Sequence, residues 1–264
     1  MSDLPGSLCA ALEALVQRPR ILLGVDFDGT LAHFATDPMQ ARAAPGALTS
    51  LYAAASLRGV TDAVVSGRDL QALRELTGIP HTSPIVLLGS HGGQSSLEDV
   101  DGPVRLNREA TARLAAARAD MEDVALAHPG TRIELKPGAV ALHTRGVDPS
   151  VGAAALAAAL ALSTRHTGVQ VIPGKEVVEL TVVKTDKGVA IRTLAAARGV
   201  DATAYFGDDV TDERAFAALS PQSGDVTVKV GDGNTLASYR LGAVDDVVTA
   251  LSVVVTKRQS ASRA

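Results

Sequence analysis

The apolar run Ile21-Leu22-Leu23-Gly24-Val25 ends in Asp26-Phe27-Asp28-Gly29-Thr30, and this junction constrains the fold more than any other stretch. A short apolar run without alternation reads as a strand buried on both faces, as in parallel sheets flanked by helices. Open α/β sheets bind their ligands at the carboxyl ends of such strands. Two carboxylates one residue apart there, followed by a glycine that lets backbone approach closely, point to metal-assisted chemistry on an anionic substrate. An Asx-type turn is the structural alternative, because Asp and Gly are ordinary turn residues.

The rest of the chain supports the parallel-sheet reading. Apolar runs at Thr61–Ser66, Ile85–Gly89, Ala202–Gly207 and Val226–Val230 alternate with helical patterns near Gly46–Leu57, after Asp69, at Lys187–Arg198 and at Glu213–Leu219. That alternation predicts a Rossmann-like α/β core. The middle is different. Helices are expected at Arg108–Ala127 and Pro149–His166, and strands at Thr131–Lys136, Ala139–Arg145, Val169–Ile172 and Val177–Val183. Pro137-Gly138 and Pro173-Gly174-Lys175 supply turn chemistry for two hairpins. The expected organisation is therefore a core formed by residues 1–106 and 181–264, with an α+β domain inserted at residues 107–180.

Composition narrows the function class. With 264 residues and 46% hydrophobic content the chain can build a large core. A net charge of −4 and a pI near 5.9 leave no basic footprint for wrapping nucleic acid, so no nucleic-acid partner is expected. Cys9 is the only cysteine and the first residues lack a basic, apolar leader pattern, so a cytoplasmic location is expected. Val151–Leu162 is too short to span a bilayer, so no membrane partner is expected either. A monomer is expected, and the polar, basic segment from Thr256 to Ala264 reads as a frayed end.

A second acidic cluster, Gly207-Asp208-Asp209-Val210-Thr211-Asp212-Glu213, follows another apolar run. Acids in a first helical turn complement its dipole, which accounts for Asp212 and Glu213. Adjacent Asp208 and Asp209 repel each other unless a cation or proton intervenes. Two acidic strand ends in one sheet could share Mg²⁺, which takes hard oxygen ligands and a phosphate. Lys187 starts a helix, where its charge opposes the dipole unless an anion sits there; Lys184 is the rival cation. Ser66-Gly67 at another strand end can meet a phosphoryl oxygen, although Ser-Gly is also a routine turn.

Taken together, Asp26–Thr30, Ser66, Lys187 and Gly207–Asp212 resemble, in order, the four motifs of the haloacid dehalogenase (HAD) superfamily, and the inserted domain resembles that superfamily's α/β cap. Val65-Ser66-Gly67-Arg68, Gly89-Ser90-His91-Gly92, Glu134-Leu135-Lys136, His143-Thr144-Arg145, Gly174-Lys175-Glu176-Val177-Val178-Glu179 and Val230-Gly231-Asp232-Gly233-Asn234-Thr235 are similar to the trehalose-6-phosphate phosphatases within it. Gly93-Gln94 departs from that family, which usually carries a small residue and then an acid. The resemblance implies a Mg²⁺-dependent hydrolysis of trehalose 6-phosphate through an aspartyl-phosphate intermediate. Asp26 would be the nucleophile, Asp28 the acid and base, and Lys187 and Ser66 the groups on the phosphoryl oxygens. Asp26, the Asp28 carbonyl and Asp208 would hold the metal, with Asp209 and Asp212 orienting its waters or Lys187. Gly67, Arg68, His91, Glu134, Lys136 and Glu179 would meet substrate, with His143, Arg145 and Lys175 as weaker candidates. The rivals are phosphatases of sucrose phosphate, mannosylglycerate phosphate or monosaccharide phosphates, a phosphomutase, and a non-catalytic sugar-phosphate sensor.

Overall fold

The computed structural model describes residues 4–97, 106–136, 138–174, 176–182 and 186–261. Pro137, Lys175, Val183, Lys184 and Thr185 lie outside these residues. The first part of the chain forms α1 (Gly6–Val16), β1 (Ile21–Asp26), α2 (Ala47–Ala55), β2 (Val60–Val65), α3 (Leu70–Thr77), β3 (Val86–Gly89) and β4 (Gln94–Ser95). The middle forms α4 (Arg108–Ala127), β5 (Arg132–Lys136), β6 (Ala139–His143), α5 (Pro149–Ala161), β7 (Gln170–Gly174) and β8 (Val177–Thr181). The last part forms α6 (Lys187–Arg198), β9 (Ala202–Gly207), α7 (Asp212–Ala218), β10 (Val226–Val230), β11 (Tyr239–Leu241) and α8 (Val244–Ala261).

Two compact units result, one from residues 1–101 and 185–264, the other from residues 102–184. The first contains a seven-stranded sheet in the order β11-β10-β9-β1-β2-β3-β4, parallel except for the final β3/β4 pair. Strand β1 lies between β9 and β2, so chain entering from both directions delivers its strand ends to one edge. One face buries Ile21, Leu23, Val25 and Val64 against Leu8, Leu12, Leu51, Val247 and Leu251. The other buries Leu22, Ala63, Val65 and Tyr205 against Ile191, Leu194 and Phe216. Every residue of β1 is buried, which is why its sequence shows no polar alternation. Two helices that carry or adjoin site residues, α3 and α6, have side-chain caps: Asp69 accepts from Ala72 N (2.9 Å) and Asp186 from Val189 N (2.8 Å).

The second unit is a four-stranded antiparallel sheet in the order β5-β6-β8-β7. Val140, Leu142, Val178 and Leu180 pack with Ala117, Met121, Ala155 and Ala159 of α4 and α5. Period-two alternation turns Glu134, Lys136, His143 and Glu179 to the opposite face.

Two expectations need correction. The end expected to fray at Thr256–Ala264 is helical as far as it is described: α8 continues to Ala261, and Arg258 is 8% exposed, while residues 262–264 lie outside the described residues. Its guanidinium donates to the carbonyls of Val16, Arg18, Pro19 and Arg58. Pro173-Gly174 is not a turn but the end of β7, paired with Val178 and Val177. Proline is tolerated there because β7 is an edge strand and needs no N–H on its outer side.

Candidate active site

A cavity of about 290 Å³ opens in the first unit, lined by residues from all four sequence motifs. Asp26 ends β1, Ser66 follows β2, Lys187 opens α6, and Asp208 follows β9. The carboxyl ends of three adjacent parallel strands thus supply one site, as the topology of such sheets favours.

Its floor is a buried ion cluster. Lys187, only 2% exposed, lies 2.8 Å from both Asp26 Oδ1 and Asp212 Oδ1. Burial alone would lower the affinity of Lys187 for its proton, but the charges of Asp26 and Asp212 outweigh this and raise it. Lys187 therefore stays cationic. Asp26 feels the reverse: burial pushes its carboxyl well up, and Lys187 opposes the shift.

Asp212 is fully buried and accepts four hydrogen bonds. Oδ1 takes Lys187 Nζ and Tyr205 OH (2.7 Å), and Oδ2 takes the backbone N–H of Asp208 (3.1 Å) and Asp209 (3.0 Å). Gly207 makes this possible, because a Cβ there would lie 2.2 Å from Asp212 Cγ. A carboxylate oxygen from each of Asp26, Asp208 and Asp212 lies within 4.8 Å of the others. Because both Asp212 oxygens are already occupied, Asp26 and Asp208 are the better direct ligands. The set consists of hard anionic oxygens, which suits Mg²⁺. Burial raises the Asp208 carboxyl, and the nearby charges of Asp212 and Asp209 add to the shift; a cation would relieve that repulsion. Thr30 Oγ1 (3.3 Å) and the Lys229 ammonium, which donates to the Asp208 carbonyl, fix the same loop.

Asp28 is held differently. Its carboxylate accepts a bidentate fork from Arg68, with Nε and Nη2 both at 2.7 Å. The Arg68 guanidinium also lies 6.0 Å from the centroid of the Phe27 ring. Asp209 turns toward its own backbone turn, taking Thr211 N and Oγ1 at 2.6 Å. Burial would raise the Asp209 carboxyl, yet the Thr211 hydrogen bonds and Lys187 bring it below its usual range.

His91 sits over Gly67: a Cβ on that glycine would lie 2.7 Å from the imidazole. Burial and the Lys187 charge both lower its proton affinity, leaving a neutral ring at pH 7. The loop that carries it bends through two left-handed residues, Ser90 (φ +50°) and His91 (φ +54°), and such strain needs support. Ser90 N donates to Arg68 O (2.7 Å), His91 N to Ser66 O (2.9 Å), and Leu70 N to Gln94 Oε1 (2.8 Å). Gln94, where the sequence departs from its family, thus ties the His91 loop to the start of α3.

In the second unit, Glu134, Lys136, His143 and Glu179 form one ion network. Lys136 bonds Glu179 and lies 4.0 Å from Glu134, whose carboxylate accepts a hydrogen bond from His143 Nε2 at 2.8 Å. Ala141 lies between Glu134 and Glu179 in register, which leaves room above the sheet. Arg145 faces Glu176 at 3.7 Å and is exposed; Lys175 and Lys184 lie outside the described residues. Phe34, Tyr205 and Lys229 carry no motif signal in the sequence. The only hints are a lone lysine in Val226–Val230 and a lone tyrosine in Ala202–Gly207.

The trehalose-phosphatase family matches residues 24–244. A trehalose-phosphate phosphatase of Mycobacterium tuberculosis (strain ATCC 25618 / H37Rv) is 34% identical over 257 residues, covering 93% of this chain and 63% of the relative. One from Mycobacterium ulcerans is 33% identical over 262 residues, with 93% and 63% covered. The chain therefore spans about 63% of the length of these curated relatives. Among solved structures, trehalose-6-phosphate phosphatase of Aspergillus fumigatus (crystal form 3) has a TM-score of 0.60 at 25% identity, covering 94% of this chain and 97% of that one. A HAD-superfamily phosphatase from Bacteroides thetaiotaomicron has a TM-score of 0.53 at 17% identity over 90% and 96% of the two chains, a likeness of fold alone.

Proposed function

This chain belongs to the trehalose-phosphatase family, and from that premise we propose that it hydrolyses trehalose 6-phosphate to trehalose and phosphate through a phosphorylated Asp26. The observation that carries the chemistry is the Lys187 bridge between Asp26 and Asp212. It fixes the nucleophile and keeps a cation where the phosphoryl charge develops.

An Asp26 carboxylate oxygen attacks phosphorus, and the bond from phosphorus to the sugar oxygen breaks. Asp28, in its protonated form once freed from Arg68, donates a proton to that oxygen and becomes the carboxylate. Water then attacks the aspartyl-phosphate, Asp28 takes its proton, and phosphate leaves with Asp26 regenerated. Lys187 and Ser66 meet the phosphoryl oxygens. Arg68 links the two stages: the arriving phosphate competes with Asp28 for its guanidinium, releasing Asp28 for proton transfer. Neutral His91 adds a hydrogen-bonding group at the same rim. Asp26 and Asp208 would hold Mg²⁺, with the Asp28 carbonyl as the expected third protein ligand, and the ion supplies charge neutralisation to the phosphoryl group. Asp212 and Asp209 position the loop rather than the metal.

The inserted unit supplies selectivity in this reading. Glu134, Lys136 and Glu179 offer charged donors and acceptors to sugar hydroxyls, as orienting groups in a binding site do.

Rapid acid quench of enzyme mixed with trehalose 6-[³²P]phosphate and Mg²⁺ tests the covalent step. The account expects labelled protein in the native enzyme and none in Asp26→Asn. Label retained in that variant would remove Asp26 as the nucleophile.

A further inference from the structure

The cavity changes character from floor to mouth. At the floor, Asp26 and Lys187 expose 6% and 2% of their side chains. Asp28, partway out, exposes 28%. At the mouth, Phe34 is 77% exposed. Ser66, Gly67, Arg68, His91 and the remaining lining residues are polar, charged or glycine, so Phe34 is the one apolar side chain among the described residues that line the cavity. A single exposed ring is ordinary on a protein surface; what sets Phe34 apart is its place in the lining of the cavity beside the phosphoryl-transfer residues.

Its position is fixed from upstream. Leu31 and Ala32 are fully buried, Ala32 bridges Ala43, and Ala44 N donates to Leu31 O at 2.8 Å. The chain therefore emerges at residue 34 from a rigid base. Gly29, at φ +79°, admits the ring: a Cβ there would meet Asp208 Oδ2 at 2.2 Å and Phe34 Cζ at 2.7 Å. The ring atom nearest that position is the tip carbon, and the side chain as a whole is 77% exposed. A phosphomonoester with its phosphoryl group on Asp26 and its leaving oxygen at Asp28 would direct its leaving group toward the more exposed part of the lining, which includes Phe34.

We propose that Phe34 is a specificity-determining residue whose ring packs against the hydrocarbon face of the substrate's pyranose, favouring cyclic sugar phosphates over the bare phosphate group. A pyranose carries hydroxyls around its rim but C–H bonds on its faces, and an aromatic ring buries that face without leaving a polar group unpaired. This rests on the sugar-phosphatase reading above. It assigns binding of the leaving group partly to the first unit, through a residue that none of the motifs contains.

The test compares two constants in Phe34→Ala, Phe34→Leu and Phe34→Tyr at saturating Mg²⁺: KM for trehalose 6-phosphate, and Ki for inorganic phosphate as a competitive inhibitor. Phosphate occupies the floor without reaching the mouth. The proposal expects Phe34→Ala to raise KM about tenfold, equivalent to about 1.4 kcal/mol, while Ki for phosphate stays within about twofold. Phe34→Leu should fall between, and Phe34→Tyr should stay near native. An unchanged KM in Phe34→Ala would overturn it, as would a parallel rise of KM and Ki, which would place Phe34 in the phosphate floor. If the native enzyme prefers another cyclic sugar phosphate, the same split on that substrate upholds Phe34 while the trehalose assignment falls. If the native enzyme turns over no sugar phosphate, both fall.

Discussion

Asp212 shows how one side chain can organise a site. Its two oxygens bind a lysine, a tyrosine and two backbone N–H groups, so the loop, the cation and the nucleophile share one support. Asp62 makes the opposite case. It is fully buried on β2, and neither carboxylate oxygen has a hydrogen-bond partner among the described residues. Burial pushes its carboxyl well up. Below the ordinary unfolded value of about 3.9 both folded and unfolded states are protonated. As pH rises through that value only the unfolded state ionises, so the folded state loses relative stability. Asp62→Asn should therefore gain stability over native protein as pH rises from 4 to 8, by about 1–3 kcal/mol, in thermal or urea melts. A difference independent of pH would contradict this. At this scale the motif residues were legible because the chemistry ties each to a strand end or helix start. Tyr205, Lys229 and Phe34 were not, because each acquires its role from a partner brought by the fold; Gln94 stood out only as a departure from its family.

The parallel strands were readable because burial on both faces strips them of polar residues, as in Ile21–Val25 and Ala202–Phe206. The terminal helices α1 and α8 were not read, although Leu8, Leu12 and Leu15, and Val247, Leu251 and Val254, follow helical spacing. The polar residues after Val255 obscured Arg258, whose guanidinium bonds four carbonyls at the ends of neighbouring segments. Arg258→Ala should lower stability by roughly 2–4 kcal/mol, from lost charge-assisted hydrogen bonds and exposed carbonyl partners; a melt within 1 °C of native would refute the clasp. In the inserted sheet, alternation alone places Glu134, Lys136 and Glu179 on one face, but a wet sheet face would look the same. Lys136→Ala separates the two. A sugar-binding role predicts a KM for trehalose 6-phosphate raised about tenfold with kcat changed far less, whereas a solvated face predicts native kinetics.

For the molecule as a whole, strand order decides where function gathers. Placing β1 between β9 and β2 brings Asp26, Asp208 and Asp212 into one metal-fitting acidic set and joins Thr30 to Asp208, 178 positions away, by a hydrogen bond. The fold class was legible from alternating elements, and the order of the motifs implied convergence. Strand order itself was not, because parallel pairing is fixed by tertiary contacts rather than local pattern. The inserted unit carries its own apolar core, and no described helix is long and apolar enough to cross a membrane. The central claim is the substrate, and phosphate release across a panel of sugar phosphates tests it most directly. With Mg²⁺ present, trehalose 6-phosphate should show a kcat/KM at least about a hundredfold above glucose 6-phosphate, sucrose 6-phosphate and mannosylglycerate phosphate, a gap of about 2.7 kcal/mol. A higher kcat/KM for any of those three would contradict the account.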